Sequence, residues 1–222
     1  MIAAVADRWQ PRRFARWALG APTFPALVCV AFAMVFSTLG AYRLSQTVRV
    51  DDIVFGPTRS AIVDSLLVAI GIERTAVLVY VLQRSFDALV LAAALTPIFL
   101  WLLGSSAIHA AARFRGVRGR AYLPLLVLFA YAELAYQLPT SLAGIAFTGG
   151  PLGIVADAVS LVMLVWFGLV VHRAIGFHYG VASDDALGIF VLGAVAFYIL
   201  PLVLIGVILV AIVVAAAILQ YF

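Results

Sequence analysis

The sequence predicts an all-α membrane protein, a bundle of five transmembrane helices with an amphipathic segment between the first and the second. Three observations predict it. Hydrophobic residues make up 66% of the 222 residues and charged residues only 11%, whereas a soluble domain is about half apolar and about a quarter charged. A chain this short cannot enclose so much apolar surface, so the surface has to face lipid. The apolar residues also fall in runs near the ~20 residues needed to cross the hydrocarbon. Finally, arginines gather between the runs: Arg8, Arg12, Arg13 and Arg16 precede the first, and Arg113, Arg115, Arg118 and Arg120 crowd into "RFRGVRGRAY" before the third.

Residues 1–23 read as a tail with an interfacial helix. No charge lies between Arg16 and Arg43, and 24–42 reads as the first span. It is too long for the apolar core of a signal peptide, which runs to roughly 7–15 residues. The stretch 60–86 spaces Ile62, Leu66 and Ile70 helically, but Asp64, Glu73 and Arg74 interrupt it. That pattern suits an amphipathic helix at the interface, with a re-entrant piece as the alternative. Further spans are expected at 88–109, at 122–142 with Glu133, and at 152–172 with Asp157. From Ala186 to Phe222 no residue is charged. The fifth span is placed at 187–211, with Pro201 bending it through the loss of a backbone hydrogen bond. The whole chain reads as one membrane domain.

Five spans put the arginine-rich tail and the Arg113–Arg120 turn on one side. The positive-inside rule makes that side cytosolic and the C-terminus external.

Several chemistries are excluded. The chain has no lysine, so a Walker-type phosphate loop, a Schiff-base lysine and a Ser-Lys dyad are absent. Cys29 is its single cysteine, which rules out an internal disulfide or a cysteine metal cluster. GxSxG, HExxH and GxGD patterns are missing, and no enzyme activity is expected.

Several segments, in order, resemble the Yip1-domain family of small five-span membrane proteins. They are "QPRRFARW" (Gln10–Trp17), "AIHAAARFRGVRGRAYLPLL" (Ala107–Leu126), "FAYAELAYQLP" (Phe129–Pro139), "VWFGLVVHRAIGF" (Val165–Phe177) and "DDAL" (Asp184–Leu187). The resemblance covers most of the chain outside 43–86 and implies the prokaryotic branch, in a cell membrane. Eukaryotic relatives associate with small GTPases and with each other. That GTPase binding is not carried over, because resemblance to the prokaryotic branch implies no cytosolic N-terminal domain of the eukaryotic kind.

Ionisable groups inside a membrane are costly, about 2.5–3.5 kcal/mol for an aspartate at mid-helix on lenient scales, and so mark candidate sites. Glu133, with Gln137 one turn on and Tyr136 beside it, and Asp157 on the antiparallel fourth span form a candidate polar site. They would serve a proton or cation path. The alternative is a protonated Glu133 hydrogen-bonded within the bundle and an Asp157 that reaches interfacial water. Arg113, Arg115, Arg118 and Arg120 are candidate contacts for anionic head groups, each contributing about 1 kcal/mol near such a surface, or for a partner protein. Nucleic acid is not expected, because no binding module or stacking array accompanies the arginines. His109, His172 and His178 map to one side, and imidazoles can hold a metal or haem. Their spacing matches no zinc motif, and no metal or cofactor is expected. The leading reading is a non-enzymatic membrane organiser that packs with itself or with other membrane proteins. The second is a small transporter using Glu133 and Asp157.

Overall fold

The computed structural model describes residues 9–47, 54–56, 60–147, 153–199 and 202–203, and among them every regular element is a helix. In chain order these are α1 (Pro11–Leu19), α2 (Thr23–Thr47), α3 (Ala61–Ile70), α4 (Ile72–Phe99), a π turn (Leu100–Gly104), α5 (Ser105–Phe114), α6 (Leu123–Ala146) and α7 (Gly153–Tyr179). A further helix, α8, occupies residues 183–199.

Four helical stretches are long and apolar enough to cross a membrane: Thr23–Arg43, Ala92–Phe114, Leu123–Ala146 and Gly153–Tyr179. A fifth is reached if the bent pair Val63–Ile70 and Ile72–Ser85 counts as one span. These helices fit a multi-pass membrane protein. Their outer faces carry large apolar side chains that water would not tolerate in such number, among them Phe24, Ile154, Leu161 and Val162, each more than 60% exposed. Helix α6 is the most enclosed span, with 44% of its apolar window buried, and α7 the least, with 11%.

The structure refines three boundaries. The second span, expected at 88–109, lies within one long helical run from Ile72 to Phe114, and its apolar window is Ala92–Phe114. The charged stretch expected to be a single amphipathic helix is two helices, α3 and the start of α4, bent by 118°. The bend falls at Gly71, whose φ of +87° a residue with a Cβ rarely adopts. The fifth span, expected at 187–211, is helical to 199. The remainder, with the Pro201 bend, lies outside the described residues.

Local chemistry explains the helix ends. Gln10 is extended and Pro11 opens α1, where its missing N–H costs nothing. The Ser60 hydroxyl caps α3 by accepting from the Val63 N–H at 3.4 Å. Helix α5 closes in a Schellman arrangement: the Gly116 N–H bonds the Arg113 carbonyl and the Val117 N–H bonds the Ala112 carbonyl, both at 3.0 Å. That closure needs φ > 0 at Gly116, which has +85°. The glycine of the basic turn is thus a helix terminator.

Two compact units divide the chain, and the boundaries fall inside α2, before the last residue of α4, inside α6 and inside α7. The first unit comprises Met1–Ala26, Phe99–Ala130 and Gly168–Phe222. Its core includes Leu125, Leu128, Ile175 and Ile189, all fully buried. Helix α8 lies close against α5 there, since a Cβ on Gly193 would sit 2.4 Å from the Ile108 Cδ1 and 3.0 Å from its Cα. The second unit comprises Leu27–Ile98 and Tyr131–Phe167. Within it Pro97 interrupts α4 and removes the N–H that would have bonded the Ala93 carbonyl. The Ser37 hydroxyl of α2 donates to that carbonyl at 2.8 Å. A backbone group freed by proline inside a span must find such a partner, because lipid offers none.

Candidate functional site

Charge is sorted between the two units. Among the described residues the first holds eight arginines and two aspartates, a net of +6. The second holds three arginines and five acids, a net of −2. The candidate site of the first unit is therefore its basic end, built by α1, the α5–α6 turn and the α7–α8 turn.

Arg113, Arg115, Arg118 and Arg120 are all exposed, as the sequence reading requires of head-group or partner contacts. Arg115 reaches Asp185 at 3.4 Å, with both side chains largely in solvent. Such a pair contributes about 0–1 kcal/mol, and one aspartate against four arginines leaves the turn positive. Helix α1 adds Arg12 and Arg16, whose guanidiniums lie 5.9 and 4.9 Å from the ring centre of Phe177 near the end of α7. These are cation–π distances, each contributing about 0.5–1 kcal/mol at an exposed site.

Beneath the arginines runs a polar network that pattern reading finds only in part. His109 and Arg113 share a helix face, and Arg113 Nε donates to His109 Nε2 at 3.2 Å. An accepting Nε2 places the ring proton on Nδ1, which then donates to the Tyr179 hydroxyl at 2.8 Å. A second branch joins Ser106, Tyr122 and Ser105. Tyr122 Oη lies 3.0 Å from Ser106 Oγ and 2.7 Å from Ser105 Oγ, and Ser105 also bonds the Trp101 carbonyl. One assignment satisfies every group: Ser106 donates to Tyr122, Tyr122 to Ser105, and Ser105 to the carbonyl. The rings of His109 and Tyr122 pack at 5.4 Å and bring the branches together. The π turn makes this geometry by widening the helix at Trp101 and Leu102, whose carbonyls take side-chain donors.

The other two histidines are used separately. His178 Nε2 donates to the Ala121 carbonyl at 2.9 Å, and His172 Nε2 to the Ser183 carbonyl at 3.2 Å. All three histidines lie in the first unit, yet among the described residues no group of three His, Cys, Asp or Glu side chains could hold a metal ion.

In the second unit Glu133 is 1% exposed on α6. Gln137 Nε2 donates to its Oε1 at 3.1 Å, the contact their one-turn spacing predicts. Its other oxygen, Oε2, is the one buried side-chain polar atom among the described residues with no hydrogen-bond partner. Tyr136 packs edge-on against Phe167 at 6.0 Å. Asp157 is exposed on α7 and is not a partner of Glu133. The structure thus gathers Glu133 and Gln137, sets Tyr136 on an aromatic neighbour and leaves Asp157 apart.

Sequence reading missed Tyr122, Tyr179 and Ser105 as members of one network, and the two α1 arginines as partners of Phe177. The signal within reach was positional: both tyrosines sit at span ends on the side of His109. No protein family, curated protein or solved structure matches this chain.

Proposed function

We propose that this chain is a Yip1-like, five-span membrane protein without enzymatic activity. It acts as an organiser that packs with itself or with other membrane proteins. Its arginine-rich unit faces the cytosol of a prokaryotic cell and rests on anionic head groups. The charge partition carries this reading: +6 against −2 among the described residues, on helices whose flanks are apolar. Basic residues near a membrane end favour the cytosolic side, and a strongly positive surface is attracted to anionic lipid.

Two measurements test it. In a Cys29→Ser background, single cysteines at Gln10 and at Val117 are expected to label from the cytosolic side only. Labelling from opposite sides overturns the orientation and the five-span count. A photo-crosslinking residue at Leu161, on the lipid-exposed flank of α7, is expected to give discrete protein adducts in native membranes. Lipid adducts alone at this and at neighbouring exposed positions overturn the organiser.

A second reading is favoured by one observation, the unpartnered Oε2 of Glu133. A buried carboxyl oxygen without a donor suits a site that takes up a proton or small cation during a transport cycle. Proteoliposomes showing a proton or sodium flux that Glu133→Gln abolishes would establish this reading over the first.

A further inference from the structure

We propose that α1 carries a binding site for the phosphodiester head group of an anionic phospholipid. Gln10, Arg12, Arg13, Arg16 and Trp17 line a groove of about 530 Å³, a volume within the range of small-molecule sites. The helical positions explain the convergence. Ala15 and Ala18 are 0% exposed and hold one side of α1 against the protein. At 100° per residue Arg13 and Arg16 point about 170° and 130° away from the direction midway between the two alanines, and Arg12 lies at the edge of that side, about 90° away. Phe177 lies within cation–π distance of both Arg12 and Arg16, which fixes two planar forks beside the groove. Guanidinium forks match phosphate oxygens two at a time. No acid occurs in sequence from Arg8 to Val50, so α1 itself carries only basic charge.

A lipid, not a soluble anion, is favoured by where the groove lies. Helix α1 ends only a few residues before α2 begins at Thr23, which sets it at the depth where a span meets the head groups. Trp17, 54% exposed, stands at the groove wall, and an amphipathic indole partitions to that same depth. None of the turn arginines Arg113, Arg115, Arg118 and Arg120 lines the groove. It rests on the reading that α2 crosses a bilayer.

Native mass spectrometry of the full-length protein, released from membranes of mixed phosphatidylglycerol and phosphatidylcholine, tests the site. Phosphatidylglycerol is expected to stay bound in preference. In Arg12→Gln/Arg16→Gln its retention is expected to fall about thirty-fold, the product of two contacts near an anionic surface. The variant Arg74→Gln/Arg84→Gln, which removes two arginines of α4 in the second unit, is expected to retain it. Circular dichroism reports whether each variant is folded. If the glutamine pair is not, Arg12→Lys/Arg16→Lys keeps the charge, loses the forks and is expected to give a smaller loss in the same direction. Equal loss from the α1 and α4 variants overturns the site, since the lipid would then be reading diffuse charge. Retention of phosphatidylcholine equal to phosphatidylglycerol overturns it too, as does displacement of the lipid by inorganic phosphate. Carbonate extraction separates the two failures. A chain released by carbonate overturns the membrane reading and the site together. A chain that stays embedded without lipid preference overturns the site alone.

Discussion

The two units treat buried polarity in opposite ways. In the first, Ser105 is fully buried, yet its hydroxyl bonds a helix carbonyl and the Tyr122 phenol, and the network continues outward to Ser106. In the second, Glu133 is as deeply buried and has an oxygen with no donor. A satisfied polar group in low dielectric adds rigidity, while an unsatisfied one costs about 1–3 kcal/mol. The contrast teaches that one unit uses polarity to fix a shape, and that the other holds a group whose presence stability does not explain.

Three substitutions sharpen or break that contrast. Ser105→Ala should have the largest effect, a loss of about 1–3 kcal/mol, because it removes the side-chain donor to the Trp101 and Leu102 carbonyls and one of the two hydroxyls that Tyr122 bonds. Thermal unfolding in detergent checks it, and an unchanged midpoint would mean the network is ornamental. Glu133→Met should act in the opposite sense, with a gain of about 1–2 kcal/mol from replacing an unsatisfied carboxyl by an apolar side chain of similar length. A clear loss in the same assay would show that Oε2 has a partner in the membrane. Ser37→Ala should cost least, about 0.6–1.7 kcal/mol, the span measured for interhelical hydrogen bonds in a membrane. Amide exchange near Ala93 and Pro97 should quicken with it. Unaltered exchange would indicate that another donor covers the Ala93 carbonyl.

Much of this was legible before any coordinates. Hydropathy alone located the helices beginning at Thr23, Leu123 and Gly153, because each run is apolar along its length and needs no knowledge of its neighbours. The arginines and Gly116 marked the α5–α6 turn, and His109 to Arg113 could be read as one helix face because they are four residues apart. The region from Ser60 to Phe86 was less legible. Its charges suggested a single surface helix, but one glycine with positive φ divides it, and α4 then continues through Pro97 without ending. A proline normally warns of a helix end. Here the warning fails because Ser37, 56 residues before Ala93 in sequence, supplies the hydrogen bond that the Ala93 carbonyl lacks.

Composition and periodicity determined the class of this protein: helical, apolar along its flanks and basic in two clusters. Those properties are local, fixed by each residue's transfer free energy and by helical repeat. Only the tertiary structure decided that His109 meets Tyr179, 70 residues away, that Arg12 and Arg16 share Phe177, and that charge divides unequally between two units. Such pairings depend on which helices approach and at what rotation. Packing of whole side chains sets that approach, and no single segment carries it.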